Sequence, residues 1–250
     1  MKKILSLLFA GLLGIATLSA QTPAAVAPAT PPDPSVGADR IGNARFHEMH
    51  QKFLARGKAG PIGVLFLGDS ITEGWAKAPH IWEHYYGAYQ PANFGFSGDQ
   101  TQNVIWRIEQ GELDGIKPKV LVFMLGTNNS GIHTGAQIAA ADRKIVGMIR
   151  ERLPETKILL LAIFPRGPRQ QRDGTPEDWK QRMANIRTAN ADLAKLDDGN
   201  MVRFLDINVR FFGNDGTIPD TIMPDQLHPN AAGYQIWADA MQPLLQEMMK

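Results

Sequence analysis

Apolar and polar positions alternate along this chain in blocks, and each block has either the period of a helix or the run of a buried strand. Short, nearly continuous apolar runs fall at residues 62–67, 92–94, 120–125, 157–163 and 202–206. A strand covered on both faces reads this way, because neither side is solvated. Between the runs, apolar residues recur at three- and four-residue steps. One set is Ile138, Ala141, Ile145, Ile149 and Leu153, and a second is Trp179, Met183, Ile186, Asn190 and Leu193. Tyr234, Trp237, Met241, Leu244 and Met248 form a third. Each set predicts the buried face of a helix. Phe46, His50 and Phe53 predict a lead-in helix over residues 41–56. Strand and helix in alternation imply a parallel sheet with right-handed crossovers. The expected fold is therefore a three-layer α/β/α sandwich on a five-stranded parallel sheet. There is no internal repeat and no second core, so residues 41–250 read as a single domain.

The N-terminus has a different pattern. Met1-Lys2-Lys3 is a short basic start, Ile4 to Leu18 is almost wholly apolar, and Leu18-Ser19-Ala20 ends in a small residue. The apolar run falls short of the ~20 residues a spanning helix needs. Residues 1–20 are thus expected to be a cleaved secretory signal peptide, leaving no stable membrane anchor and an exported protein, periplasmic or extracellular. Residues 21–40 are rich in Pro and Ala and read as a linker.

With 44% apolar residues among 250, a full hydrophobic core is expected. The absence of cysteine excludes a thiol nucleophile, disulfides and a lipoprotein anchor. Removal of Lys2 and Lys3 would take the formal net charge from +1 to −1. A near-neutral chain without a basic stripe argues against nucleic-acid binding.

Four polar motifs carry the candidate chemistry. Gly68-Asp69-Ser70-Ile71 follows the first strand run, where open α/β sheets place ligands. Backbone N–H groups at a helix start favour a developing alkoxide or oxyanion, although Asp69 and Ser70 would also serve as plain N-cap residues. Asn93-Phe94-Gly95-Phe96-Ser97-Gly98-Asp99 follows the second run. There Gly98 N–H could donate to an oxyanion, or the segment could be an ordinary loop. Gly126-Thr127-Asn128-Asn129 follows the third run, and its Asn128 amide offers two donors or simply a turn residue. Asp225-Gln226-Leu227-His228 precedes the last helix. A serine hydroxyl is a poor nucleophile until a base takes its proton, and an imidazole held by a carboxylate is the usual base. The four motifs would converge on one sheet edge, and one site explains them better than four coincidences. Arg166 reads equally as a substrate contact or as packing at a strand end.

These blocks resemble those of the SGNH, or GDSL-type, esterases and lipases. The platelet-activating-factor acetylhydrolase subgroup is closer still, through Phe66-Leu67-Gly68-Asp69-Ser70, Gly111-Glu112-Leu113, Ile116-Lys117-Pro118-Lys119-Val120 and Pro165-Arg166-Gly167. The resemblance runs from about Arg45 to Leu245. It implies a flavodoxin-like fold and a serine esterase without metal or cofactor. By that resemblance Ser70 is the nucleophile, His228 the base and Asp225 its orienting carboxylate. Ser70 N–H, Gly98 N–H and the Asn128 side chain make the oxyanion hole, and Asp69 and Arg166 are candidate substrate contacts. A homodimer is hinted at, with no interface legible in the sequence. Ser97 departs from the pattern, as a second glycine is usual there. Residues 167–176 and 211–223 match poorly. The expected function is hydrolysis of short, acetyl-like esters on a carbohydrate or other small-molecule or polysaccharide ester. A lipid or aryl esterase and a glycan acyltransferase are the alternatives.

Two further features are set aside. His47-Glu48-Met49-His50 spaces its histidines three apart, not the four of a zinc-protease helix. The aromatics Trp75, Trp82, Tyr85 and Tyr86 read as helix core before they read as a sugar platform.

Overall fold

Five strands form at the five apolar runs: β1 (Val64–Gly68), β2 (Pro91–Gly95), β3 (Val120–Met124), β4 (Lys157–Leu161) and β5 (Val202–Leu205). All four pairings are parallel, in the order β2-β1-β3-β4-β5. That is the flavodoxin-like order, whose topological switch lies between β1 and β3. The computed structural model describes residues 30–171 and 173–250. The expected signal peptide, residues 1–20, lies outside the described residues.

Alternate strand residues serve opposite faces, as a period of two demands. Leu65, Leu67, Leu121, Phe123, Ile158 and Leu160 join one core cluster, and Val64, Phe66, Val120, Val122, Leu159 and Leu161 the other. The first face is covered by α1 (Ala44–Lys58), α4 (Thr101–Glu109), α5 (Gly135–Arg152) and α6 (Trp179–Leu193). The second is covered by α3 (Pro79–Tyr86) and α7 (Ala231–Met248). A single turn, α2 (Ser70–Glu73), follows β1. Fully burying one such Leu or Phe contributes ~1.5–3 kcal/mol, so the doubly covered sheet dominates the stability. Trp75 and Tyr86 are buried in the second cluster and Trp82 and Tyr85 pack against it, so this group is helix core.

The boundaries differ from the apolar runs for local reasons. Asn43 caps α1 by accepting from Phe46 N, so the helix starts at Ala44 and not at residue 41. Ala162 and Ile163 remain buried, but the ladder ends at Leu161. The Asn190 side chain there takes over both Ile163 N–H (2.8 Å) and Ile163 C=O (2.9 Å). In α7, Leu245 and not Leu244 is the fully buried member, since four residues beyond Met241 return to the same face.

Of the linker expected over residues 21–40, residues 21–29 lie outside the described residues, and residues 31–40 need correction, because the compact unit begins at Pro31. Pro34 C=O accepts from Thr101 Oγ1 (2.8 Å) and Pro32 C=O from His133 Nε2 (2.8 Å). Ala38 exchanges bonds with α4, donating N–H to Gln102 O and accepting from Asn103 Nδ2. Prolines lack a donor but keep their carbonyls, and those carbonyls strap this segment to the domain.

Candidate active site

Ser70 stands two residues beyond β1, at the first turn of α2, with Asp69 as its N-cap. The approach is close. A Cβ at Gly68 would lie 2.2 Å from Thr72 Oγ1 and 2.5 Å from Met124 O, and one at Gly95 would lie 2.2 Å from Glu73 N. Glycine at these two positions lets β2 and β3 press against the serine turn. Asp69 is fully buried, and its Oδ1 accepts from Ile71 N at 2.9 Å. Burial pushes its carboxyl up to about 7 against the pull of that hydrogen bond. A side chain with no exposed surface does not contact substrate, so Asp69 is a helix cap and the expectation of a substrate contact is corrected.

His228 reaches the serine from the other end of the chain. Its Nε2 lies 2.9 Å from Ser70 Oγ, and its Nδ1 lies 2.6 Å from Asp225 Oδ2. Asp225 Oδ1 also accepts from the backbone N–H of His228 (2.7 Å) and Leu227 (3.2 Å). Partial burial pushes the Asp225 carboxyl up. The side-chain and backbone hydrogen bonds from His228, with the nearby His228 and Arg169 charges, outweigh it and hold the group well below the usual carboxylate range. A carboxylate can only accept, so Nδ1 carries the proton and the lone pair of a neutral ring sits on Nε2, facing the serine hydroxyl. The turn is tightened at Gln226, which adopts φ +60° and accepts from Gly167 N through its carbonyl (2.8 Å).

Beside Ser70 lies a set of unspent donors. Gly98 has φ +79°, a left-handed conformation suited to glycine. Its N–H meets no acceptor among the described residues. Ser70 N–H sits in a first helical turn, which offers no intrahelical acceptor. Asn128 Nδ2 donates to Asp99 O at 2.8 Å, which fixes the amide orientation. Its second N–H has only Asp69 Oδ2 nearby, at a long 3.5 Å. Ser70, Gly98, Asn128 and His228 line one cleft of about 460 Å³. A second, of about 370 Å³, lies on the Glu73–Lys77 side of Ser70 and His228. A further cleft, about 530 Å³, runs along β5 and α6 and does not include these residues.

The Ser97–Asp99 loop is held from beneath. Asp99 is buried, with Arg107 Nε at 3.2 Å and Arg40 Nη1 at 3.3 Å, and Arg40 Nη1 also donates to Ser97 O (2.8 Å). Burial pushes the Asp99 carboxyl up to about 6, against the attraction of Arg107 and Arg40. Behind Arg107 stand Glu112 (3.4 Å) and then His50, whose Nδ1 is 3.0 Å from Glu112. His50 is thus occupied in this network, and His47 pairs with Asp39 at 2.7 Å. Ser97 N–H donates to Glu73 (2.8 Å), so the non-glycine residue at this position still closes the loop.

A family model for the GDSL-like lipase/acylhydrolase family matches residues 66–236. The chain belongs to the GDSL-like lipase/acylhydrolase family. The alpha1 subunit of platelet-activating factor acetylhydrolase IB from Bos taurus is 34% identical to it over 89% of this chain and 90% of that protein. A GDSL-like lipase from Bacteroides thetaiotaomicron superposes with a TM-score of 0.64 at 17% identity, covering 79% of this chain and 97% of that one. A carbohydrate esterase family 3 structure from Talaromyces cellulolyticus gives 0.52 at 21% identity, covering 75% and 98%. The structural likenesses speak for the three-layer fold, and the family for a hydrolase acting on esters.

Within this GDSL acylhydrolase the structure brings together Ser70, Asp225, His228, Gly98 and Asn128, as their motifs predict. Arg166 is buried. It pairs with Glu177 and has Nη1 3.4 Å from Thr127 O and Oγ1, so packing beneath the cleft is its main occupation. Sequence reading missed Arg169, Glu177 and Arg182 on the cleft wall, since they lie on a loop and a helix start where no period points them inward. It also missed Arg107. Here a signal existed, because Arg107 shares the buried helical face of Val104 and Ile108.

Proposed function

We propose that this protein is a serine esterase that removes short acyl groups, acetyl above all, through an acyl-enzyme. The observation that carries this reading is the continuous relay from Ser70 Oγ to His228 Nε2 and from His228 Nδ1 to Asp225 Oδ2. Ser70 Oγ attacks the ester carbonyl as its proton passes to Nε2. The imidazolium is stabilised by Asp225 and then protonates the leaving alcohol. Water, deprotonated by the restored His228, releases the acid. Ser70 N–H, Gly98 N–H and Asn128 Nδ2 are placed to bind the oxyanion, and each such donor contributes ~3 kcal/mol to the transition state. Two oxyanion donors, Gly98 and Asn128, depend on Asp99, through its place in the loop and its carbonyl.

The name of the Bos taurus relative supports an acetyl group, and that of the Talaromyces neighbour supports a carbohydrate ester. We favour a carbohydrate because the sequence pattern of residues 1–20 points to export, and acetylated glycans lie outside cells. A lipid esterase is the second reading, favoured by the 34% identity to an acetylhydrolase named for a lipid mediator. Acid release from acetylated xylan, acetylated pectin and 4-nitrophenyl esters of increasing chain length, by the protein and its Ser70→Ala variant, tests both. Ser70-dependent acetate release that fades with chain length supports the proposal. Strong cleavage of long chains with little release from glycans supports the lipid reading. Full activity in Ser70→Ala refutes the mechanism.

A further inference from the structure

One wall of the 460 Å³ cleft is unusually cationic for a chain with a formal net charge of +1. Three guanidinium groups, Arg166, Arg169 and Arg182, surround a single carboxylate, Glu177. Arg166 holds that carboxylate closely. Arg169 Nε stands 3.8 Å from Glu177 and Arg182 Nε 3.6 Å, distances of charge attraction and not of hydrogen bonding. Asp225 lies 3.7 Å from Arg169 Nη2, but its carboxylate is already committed to His228. Among the described residues, the three guanidinium groups therefore outnumber the two facing carboxylates, Glu177 and Asp225.

The donors on these two arginines are unspent. Neither guanidinium makes a hydrogen bond to any described residue, and Arg169 Nε is shielded from solvent without a partner. A buried donor left unmade is costly, and like charges crowded together repel. The same crowding acts on Arg166, whose guanidinium is brought down to about 10 by burial and by the charges of Arg182 and Arg169, against the pull of Glu177. The Arg182 guanidinium lies directly over Gly131, where a Cβ would come within 2.4 Å of Cζ. A planar guanidinium fork matches the paired oxygens of a carboxylate or phosphate.

We propose that Arg169 and Arg182 form a subsite for an anionic group, carboxylate or phosphate, on the alcohol portion of the ester. The placement on the alcohol portion rests on the short-acyl reading above, since an acetyl group has no room for a second charge. Acidic glycans and glycerophosphate esters both present this chemistry, on one or other side of the same hydroxyl.

The test has two arms. In the first, full-length Ser70→Ala is titrated calorimetrically with O-acetylated galacturonate oligomers, neutral O-acetylated xylo-oligomers and an acetylated glycerophosphate. At least one anionic ester should bind about 10–100-fold tighter than the neutral one, as charge-assisted hydrogen bonds permit. The advantage should shrink as ionic strength rises and collapse in the added Arg169→Gln/Arg182→Gln pair, with the Arg169→Lys variant retaining part of it. In the second, kcat/KM for anionic over neutral esters is compared in the protein with Ser70 intact and in the arginine variants. A ratio that falls at least tenfold on losing both arginines supports the subsite. Preference for the uronate names an acidic glycan as its source, and preference for the phosphate a glycerophospholipid headgroup. Equal binding and equal kcat/KM for anionic and neutral esters overturn the subsite while leaving the esterase reading intact. If no ester is hydrolysed, the esterase reading fails, and arginine-dependent anion binding in the first arm still decides the subsite.

Discussion

Replacing Arg107 with methionine tests whether the buried ion network beneath the Ser97–Asp99 loop supports the fold. Arg107 is fully buried, and it donates twice to Phe94 O at 3.1 Å and faces Asp99 at 3.2 Å and Glu112 at 3.4 Å. Methionine keeps an unbranched apolar stem of similar length but strands two buried carboxylates. Breaking a buried pair in this way costs about 3–5 kcal/mol. Arg40 remains beside Asp99 and His50 beside Glu112, so the lower half of that range is expected. The loss should depend on pH in a fixed direction. Burial already raises the Asp99 carboxyl to about 6, and losing Arg107 raises it further. A carboxyl raised in the folded state contributes stability that is present below its unfolded value and lost as pH rises through the folded one. The deficit of Arg107→Met should therefore be largest at pH 8 and narrow toward pH 5, by about 1.4 kcal/mol for each unit of added shift. Urea unfolding followed by tryptophan fluorescence at both pH values measures it, and Arg107→Lys supplies an intermediate should methionine abolish folding. A loss under about 1 kcal/mol at pH 8, or one that is the same at pH 5, would refute the reasoning, as either falls below what unpairing a buried carboxylate demands.

Three other substitutions probe the site and its surroundings. Asp225→Asn should lower Ser70-dependent acid release by about 10³–10⁴-fold, with a melting temperature at pH 7 within a few degrees of the parent, because the side chain is 44% exposed; a loss below tenfold in steady-state kinetics would count against the relay. Gly95→Ala would place a Cβ 2.2 Å from Glu73 N and 2.7 Å from Thr72 C, and overpacking of this kind costs about 1–3 kcal/mol; kcat should fall with it as the Ser70 turn is displaced, and unchanged kcat would show that the turn gives way freely. Asp142, in the middle of α5, is fully buried with neither oxygen partnered among the described residues, and burial, with the Asp69 charge adding to it, pushes its carboxyl well up. Its stability contribution is lost as pH rises, so Asp142→Asn should be more stable than the parent at pH 8 and the gap should close toward pH 5; equal unfolding midpoints at both pH values would contradict this.

The central strands β1, β3 and β4 were legible because strands buried on both faces leave unbroken apolar runs, whereas the edge strands β2 and β5 carry the polar Asn93 and Arg203 and are less completely buried. The meeting of Ser70, His228 and Asp225 was legible because residue type and position coincide: a serine just past β1 and an Asp–His step just before α7. Asp69 was misread as a substrate contact because its type fits both a cap and a ligand, and only its burial separates the two. The segment 31–40 was misread for a different reason. Composition reports side chains, whereas Pro32 and Pro34 are held through their carbonyls. Arg169, Arg182 and Glu177 escaped notice because a charged residue on a loop looks the same whether it faces solvent or a cleft.

The order of parts along the chain has a consequence for when the protein can work. The last strand ends at Leu205, while the proposed base and its carboxylate, His228 and Asp225, are carried in front of the helix that closes the second face of the sheet. A chain that had paired all five strands but not yet docked α7 would display a serine with no proton acceptor. Ester cleavage thus cannot precede the docking of α7, and its onset during refolding would clock the arrival of the C-terminal segment, separately from the burial of the sheet.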